Sequence, residues 1–343
     1  MPEGASWNPY RWVPVRDEPV HRTAPAPHLR MSGWAGTLDC RLTALTCLVV
    51  GQERFIQKKT PAGSQPVIPG TSLKGAIRSL CEVVGNGCAI IGTSDSAHQT
   101  CRNAGHLCIT CRMFGFVKQG QVLAGHVSFG DAALVSSPVP PQNWPWQGNI
   151  VCGNPKPEHE AFYPADYRAR KFYHHQPTRT SLPSGAPAGV GTARMIRRVQ
   201  AAPAQTVFAF QVSFQNLDDQ QLGLLVYALT LEPGLAHKVG GCKPLGAGSS
   251  LITVERLVRF RPEWRYTGQQ SQEELTGASL AMAVDRLTTS WRQDQSETMQ
   301  ALRCLLRFDP EDRRSFAYPR REWFDANAHV PLRSWRQFGG ERE

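Results

Sequence analysis

The sequence has no apolar run that approaches the ~20 residues a helix needs to span a bilayer. Its first residues also lack the apolar segment of a secretory signal peptide, so we expect a cytoplasmic protein. Acidic residues are few beside basic ones: 28 Asp and Glu stand against 38 Lys and Arg, a formal net charge of +10. This excess favours a polyanionic partner, and at this level RNA, DNA and an anionic membrane surface all remain open.

The segment of residues 51–65 contains no aspartate and a single acid, Glu53. It reads GQERFIQKKTPAGSQ, and its basic residues are Arg54, Lys58 and Lys59. A polar stretch of this kind between apolar segments predicts an exposed loop that carries positive charge.

Ten cysteines are present, and in a reducing cytoplasm they favour metal sites or buried thiols over disulfides. Four of them fall in a polar stretch with little apolar periodicity, and the last two form a C-x-x-C pair: Cys88, Cys101, Cys108 and Cys111. Four thiolates suit a structural zinc ion, which would order a loop too polar to order itself. His98 or His106 could replace one cysteine. The alternative, a set of unconnected buried thiols, is disfavoured by the C-x-x-C pair.

A basic amphipathic helix is predicted to begin within PVIPGTSLKGAIRSL, residues 66–80. Ser72 is the predicted N-cap, apolar residues recur at helical spacing, and Gly85 supplies the stop. Lys74 and Arg78 share the polar face, beside an N-terminus whose free N–H groups favour anions. We interpret this helix as a phosphate-binding element. The alternative is an ordinary helix with two solvated cations.

The apolar pattern predicts an α+β fold. Strands are predicted at residues 34–50, 124–134, 206–214 and 251–258, with helices after the first and the third, the latter capped by Asn216. The order strand, helix, strand, strand, helix, strand is the ferredoxin-like arrangement of RNA-recognition modules. Because the chain lacks the aromatic strand signature of those modules, we expect RNA contacts from loops and insertions.

The predicted organisation has three parts: an N-terminal arm (1–33), a ferredoxin-like core (34–262) and a helical C-terminal extension (263–343). Two insertions interrupt the core. Residues 86–116 form the predicted zinc knuckle. Residues 136–198 form a second insertion that is too long for a structureless loop in a compact domain.

The second insertion interleaves basic and aromatic residues, a composition that can hold phosphates and stack bases. Its candidate RNA-binding residues are Arg170, Lys171, Tyr173, His174, Arg197 and Arg198. The alternative is a solvated surface loop. In the 51–65 segment the candidate RNA-binding residues are Arg54, Lys58 and Lys59. The glycine-rich stretch HKVGGCKPLGAGSS, residues 237–250, carries Lys238 and Lys243 and could also cradle phosphate, because glycines allow a close backbone approach.

Together these motifs resemble the RAMP superfamily of CRISPR-associated proteins, in particular the Cas-seven-type backbone subunits of type III effectors. PVIPGTSLKGAIRSL looks like that family's helix opening, CITCRMFGF like the end of its knuckle, HVSFGDAAL like the following strand, and HKVGGCKPLGAGSS like its glycine-rich loop. NPYRWVPV, RKFYHH and NLDDQQLGLLVYAL further resemble a subgroup seen in type III-D and type VII systems. The resemblance spans residues 8–260.

The resemblance implies a ferredoxin-like (RRM-like) palm, a zinc-bearing insertion and a thumb formed by residues 136–198. Such subunits stack head to tail along a CRISPR guide RNA and present it for pairing with target RNA. Lys74, Arg78 and the loop from Lys238 to Gly248 would hold guide phosphates. The implied partners are guide RNA, target RNA, copies of the chain, other Cas subunits and a separate nuclease subunit, with no membrane.

Catalytic members of the family cut target RNA in a metal-dependent reaction, using an aspartate in the loop after the first strand. Here Glu53 is the only carboxylate of that loop, and three basic neighbours would compete with a cation for it. We therefore expect a subunit that binds RNA and does not cleave it. The alternatives are a metal-dependent target-RNA endonuclease that uses Glu53, a guide-processing ribonuclease that uses His174 and His175 as acid and base, and a zinc-stabilised basic RNA-binding protein outside the family.

Overall fold

A computed structural model describes residues 5–7, 9–61, 63–88, 97–151, 169–179, 181–182, 196–265, 267 and 272–317. Parts of both predicted insertions and the end of the predicted C-terminal extension therefore lie outside the described residues. In the ranges given, no helix is long and apolar enough to cross a membrane.

The strands, in chain order, are β1 (Ala5–Trp7), β2 (Tyr10–Pro14), β3 (Arg22–Thr23), β4 (Trp34–Ala44), β5 (Gln57–Thr60), β6 (Gly63–Ile68), β7 (Leu107–Cys108), β8 (Phe116–Lys118), β9 (Gln121–Leu123), β10 (Val127–Phe129), β11 (Ala132–Ser136), β12 (Trp146–Val151), β13 (Ala169–Tyr173), β14 (Ile196–Gln200), β15 (Val207–Leu217), β16 (His237–Lys238), β17 (Ser249–Phe260), β18 (Glu273–Thr276) and β19 (Ser315–Ala317). The α-helices are α1 (Gly70–Val84), α2 (Ile109–Phe114), α3 (Asp219–Thr230), α4 (Gly277–Arg292) and α5 (Glu297–Leu306).

One antiparallel sheet organises the described part of the chain. Its strand order is β16-β17-β4-β15-β11-β6-β5, with β10 also paired to β15 and β18 also paired to β17. The first predicted strand is β4, which lies at the centre between β15 and β17. On β4, Leu38, Cys40 and Leu42 are buried and alternate with more exposed residues, as a strand with one covered face requires. A mixed fold with an antiparallel sheet is thereby confirmed.

Helices α1, α3 and α4 pack against this sheet and form the core with it. Leu73, Ile77 and Leu80 on α1 are buried in the same apolar cluster as the phenylalanines of β15. Helix α3 packs against both α1 and α4, which explains why it is buried almost along its whole length.

Helix α1 confirms the predicted helix and its end at Gly85, but the predicted N-cap is wrong. The cap position is Pro69, and the N–H of Gly70 donates to the Oδ1 atom of Asp131 at 3.0 Å. Gly70 lies so close to β10 that an added Cβ would meet the carbonyl oxygen of Phe129. The helix therefore starts where a long-range contact allows it to start, two residues before Ser72.

The segment predicted as a basic loop is largely a hairpin. Strands β5 and β6 pair antiparallel from Gln57 opposite Pro66 to Thr60 opposite Gly63, and β6 then joins the sheet beside β11. Within residues 51–65 the loop prediction is thus wrong for the two strands and holds for residues 51–56.

The N-terminal segment contacts several distant parts of the fold. Strand β2 pairs with β13, and the short β3 pairs with β7 beside the predicted knuckle. Arg16 forms an ion pair with Asp294, close to the start of α5, and also donates to the carbonyl oxygen of Val84 at 2.9 Å.

Candidate metal centre and nucleic-acid interface

Four buried cysteine side chains converge at the end of α1 and the start of α2. Their sulfur atoms all lie within 4.8 Å of one another, and the Sγ atoms of Cys88 and Cys111 are 3.7 Å apart. Sulfur atoms bonded to one tetrahedral zinc at ~2.3 Å would be ~3.8 Å apart, so the cluster has the dimensions of a zinc site. The structure brings together the same four cysteines that the sequence indicated: Cys88, Cys101, Cys108 and Cys111.

The local backbone explains how this cluster forms. Cys108 ends β7 and caps α2, and its Sγ accepts from the N–H of Cys111 at 3.4 Å. Val20, Leu107 and Phe116 are buried around the sulfur atoms and separate them from water. Neither histidine that could have replaced a cysteine belongs to the group: His106 is exposed, and the Nε2 of His98 lies 3.2 Å from the carbonyl oxygen of Glu18.

A buried carboxylate joins the cysteine cluster to two predicted RNA-binding arginines. Glu82 on α1 contacts Arg78 at 3.0 Å and Arg170 at 2.6 Å. Arg170 also donates to the carbonyl oxygens of Gly87 and Cys88, at 3.0 and 2.7 Å. Arg78 points one Nη at the Sγ of Cys111 from 3.7 Å, where its charge would favour the thiolate form that a bound metal requires. Both arginines are therefore paired with partners inside the protein.

Asp131 occupies the anion position at the N-terminus of α1. Besides accepting from Gly70, it forms an ion pair with Lys58 across 2.7 Å. The hydrogen bond from Lys58 is the main reason why the pKa of Asp131 lies below its ordinary value. The neighbouring Lys59 is exposed, and Lys74 is half-buried with a pKa lowered by burial and by Arg78.

A second basic group lies at the base of the 136–198 insertion. The guanidinium carbon of Arg198 lies 4.7 Å from the centre of the Trp146 ring, and that of Arg54 lies 5.3 Å from it. Arg54, Arg197 and Arg198 are all exposed. We call Trp146, Arg54 and Arg198 the Trp146 cluster. It unites a residue of the 51–56 loop with residues of β12 and β14.

Backbone contacts hold these segments together. The N–H of Gln200, at the end of β14, donates to the carbonyl oxygen of Glu53 at 2.7 Å. Below them, Ile150 and Val199 share a buried apolar cluster with Val49 and with Ala247 of the glycine-rich stretch. The 51–56 loop, the insertion base and the glycine-rich stretch thus pack against one another.

The glycine-rich stretch is shaped by contacts with its own neighbours. An added Cβ at Gly240 would meet the carbonyl oxygen of Val49, and one at Gly248 would meet that of Val239. Lys238 donates to the carbonyl oxygens of Gly246 and Ala247 at 3.1 and 3.0 Å, and burial lowers its pKa to about 7. Lys243 is half-buried, and burial lowers its pKa too.

The remaining predicted residues of the insertion pack inward from β13. The Nζ of Lys171 lies 3.7 Å from the centre of the Tyr10 ring and 5.2 Å from that of Tyr173, and burial lowers its pKa to about 8. His174 is buried and stacks on Phe316, with 4.2 Å between ring centres.

His175 is buried in a fixed orientation beside it. Its Nε2 lies 3.2 Å from the carbonyl oxygen of Ala236, which can only accept, so Nε2 carries the proton. Its Nδ1 then accepts from the hydroxyl of Ser249 at 2.8 Å. Burial lowers the pKa of both His174 and His175 well below the ordinary value, so both rings are neutral near neutral pH.

Sequence reasoning missed Glu82, Asp131 and the role of Trp146. Glu82 and Asp131 are ordinary acids in the sequence, and only the packing of distant segments gives them their partners. Trp146 was one of several aromatic residues in the insertion, and its spacing from arginines in the sequence gives no sign that two of them contact its ring.

A protein-family model of the RAMP superfamily matches residues 41–251. The chain belongs to the RAMP superfamily. The matched part of this RAMP protein contains α1, the four-cysteine cluster, the Trp146 cluster and the glycine-rich stretch. The comparison with curated proteins returned no match.

Two solved structures are similar to this RAMP protein at low identity. One is a chain from the crystal structure of the Csm3-Csm4 subcomplex in the type III-A CRISPR-Cas interference complex: 16% identity, 75% of this chain and 96% of that chain covered, TM-score 0.38. The other is a chain of a type IV-B CRISPR complex: 17% identity, 64% of this chain and 90% of that chain covered, TM-score 0.37.

Proposed function

We propose that this chain is a guide-RNA-binding backbone subunit of a cytoplasmic CRISPR effector complex. The observation that carries the proposal is that, in a RAMP-superfamily chain, basic segments far apart in sequence meet around the base of the insertion. The net charge of +10 supports a polyanionic partner.

The strand order supports a ferredoxin-like palm. Strands β17, β4, β15 and β11 are neighbours in that order, α1 lies between β4 and β10 in the chain, and α3 lies between β15 and β17. This connectivity is the one predicted for the core at residues 34–262. On this basis residues 136–198 form the thumb, residues 1–33 the arm and residues 263–343 the helical extension.

Zinc is the metal that best fits the four-cysteine cluster. Four buried thiols with near-tetrahedral spacing form a closed structural site, and the neighbouring Arg78 favours the thiolates that zinc requires. A bound zinc would cross-link the segments that carry Cys88, Cys101 and the Cys108–Cys111 pair, and would take no part in a reaction.

Guide phosphates are held by the basic groups that remain accessible. Lys59 and Arg197 are exposed, Arg54 and Arg198 are exposed over Trp146, and Lys74 is half-buried on α1. Three other predicted residues already have partners inside the protein: Arg78, Arg170 and Lys238. Their main role is to stabilise the fold, and they support RNA binding indirectly by keeping the binding surface in place.

Copies of the chain stack head to tail along the guide, together with other Cas subunits. Such an interface is heterologous and does not close on itself, so it produces a filament whose length the RNA can set. The guide is then presented to complementary target RNA at regular intervals.

The subunit binds its target without cutting it, and a separate subunit supplies the nuclease. In the described part of the chain, the four cysteines are the only group of three or more metal-ligating side chains, so Glu53 has no neighbouring carboxylate pair to share a cation with. His174 and His175 are buried and neutral, which is unsuited to acid–base work on an RNA backbone.

The test is to purify the protein with its RNA, sequence that RNA, and incubate the complex with labelled complementary RNA and magnesium or manganese. We expect repeat-spacer RNA in the complex and intact target RNA afterwards. Target cut at regular spacing by the wild type but not by Glu53→Ala would show that the chain is a nuclease. Cleavage of precursor RNA without metal would favour the processing alternative, and no defined RNA would favour the zinc-stabilised RNA-binding protein.

A further inference from the structure

Trp146 differs in its environment from Trp144, two residues earlier. The indole of Trp144 is 2% exposed, packs edge-on against Phe55 and donates to the hydroxyl of Ser137 at 3.0 Å. Trp146 lies outside the apolar core clusters and is only half-buried. Whereas Trp144 packs against a phenylalanine, Trp146 has the guanidinium groups of Arg54 and Arg198 over its ring.

The charges of the two arginines over Trp146 are not balanced by any carboxylate in the described part of the chain. Among the residues that the structure describes, no carboxylate forms an ion pair with Arg54 or Arg198, whereas most arginines of the described core have one. Arg197, next to Arg198 on β14, adds a third exposed positive charge. Placing several cations together without anions costs folding free energy, which an anionic ligand would recover.

The backbone at this place is built to present the cluster. The register of β12 and β14 shifts between Gln147 and Ile150, so that residues 148–149 stand opposite Arg198 alone. The bulge therefore lies in β12, opposite Arg198, and Arg197 and Arg198 of β14 are both exposed. An added Cβ at Gly148 would meet no described atom within 4 Å, so no described residue fills the space beside the bulge.

The position of Arg54 is fixed by the next residue, Phe55. Phe55 is 1% exposed, lies 4.9 Å from the Trp144 ring, and its N–H donates to the Oε1 of Gln200 at 3.4 Å. Arg54 is therefore anchored beside the end of β14 although it belongs to an irregular loop.

We propose that the Trp146 cluster is a nucleotide-binding subsite for single-stranded RNA. An unpaired base stacks on the indole in place of a guanidinium group, and the Arg54 and Arg198 guanidinium groups move from over the ring to the flanking phosphates. An indole offers a stacking surface to any base, and two cations on one ring hold the backbone at the same place. The subsite rests on the proposed RNA-binding function and adds the residue that engages a base.

The test measures binding of the full-length protein to a fluorescein-labelled oligouridylate and to an RNA duplex of the same length, by fluorescence anisotropy at several salt concentrations. Trp146→Leu should weaken oligouridylate binding by roughly 5- to 150-fold, as expected for loss of one stacked base. Trp146→Phe should restore most of the affinity, because a ring remains. Duplex binding should be unchanged in Trp146→Leu, because paired bases are already stacked.

The arginines are tested separately. Arg54→Gln/Arg198→Gln should reduce the slope of log affinity against log salt by about 1.4, the value for two phosphates of a single strand. The matched control is Arg286→Gln/Arg307→Gln, which removes one exposed arginine on α4 and one directly after α5 and should leave the slope unchanged.

The outcomes separate the subsite from the proposed function. If the wild type binds oligouridylate and Trp146→Leu binds equally well with the wild-type melting temperature, the subsite is overturned and RNA binding stands. Equal weakening of single-stranded and duplex binding by Trp146→Leu would also overturn the subsite, because it would indicate a general loss of structure. Absence of RNA binding by the wild type would overturn both.

Discussion

The guanidinium of Arg170 lies 2.6 Å from the carboxylate of Glu82, and this ion pair joins β13 to α1. The second oxygen of Glu82 contacts Arg78 at 3.0 Å. Because Arg170 also holds the carbonyl oxygens of Gly87 and Cys88, one buried carboxylate orients the segment that leads into the four-cysteine cluster. Strand β13, which pairs with the N-terminal strand β2, is thereby linked to the four-cysteine cluster.

Glu82→Gln should lower the free energy of unfolding by about 3–5 kcal/mol, because it leaves two arginines with little access to water and without their counter-charge. Urea denaturation measures the change. The control is Asp285→Asn, which removes an exposed ion pair with Arg292 and should leave stability nearly unchanged. Equal stability of Glu82→Gln and the wild type would contradict this account of the network.

Cys108→Ser should remove about one zinc ion per chain, measured by mass spectrometry of the metal content, and should lower stability. The control is Cys304→Ser on α5, outside the cluster, which should keep its metal. A wild type that remains fully folded with a strong chelator present would count against a structural metal at this place.

The two basic residues on the polar face of α1 should behave differently. Lys74→Gln should reduce the slope of log affinity against log salt by about 0.7–0.9, as expected for one phosphate contact. Arg78→Gln should instead lower the free energy of unfolding, because Arg78 donates hydrogen bonds to Glu82 and to the carbonyl oxygen of Gly115. An unchanged slope for Lys74→Gln would make Lys74 a solvated cation.

Stability should rise with pH because of Lys238. Burial lowers its pKa to about 7, whereas the pKa of an unfolded lysine is ~10.4. Between these values the unfolded chain binds a proton that the folded chain has released, so the free energy of unfolding increases with pH. We expect the wild type to gain stability relative to Lys238→Met from about pH 7 to about pH 10, measured by denaturation at several pH values. Parallel curves would contradict the assignment.

Local sequence patterns were sufficient to predict the features that are determined by residues close together in the chain. The apolar stripe of α1 and its stop at Gly85 predicted the helix correctly, and the spacing of the cysteines predicted which four meet. Both rest on residues close together in the chain, where periodicity and ligand spacing act directly.

Long-range contacts explain what the sequence could not show. Ser72 was a reasonable cap, yet Asp131 from beyond β10 accepts from Gly70 instead. Asn216 was predicted to cap α3, but Asp218 does so, while the side chain of Asn216 accepts from the N–H groups of Ser32 and Gly33. No local pattern reveals such partners.

Nuclease protection of the RNA that co-purifies with the protein tests the central proposal most directly. A backbone subunit stacked along a guide predicts protected fragments whose lengths increase in regular steps, one step for each bound copy. Protection of a single short length, or fragments with no regular spacing, would contradict the proposal and leave a basic RNA-binding protein that acts alone.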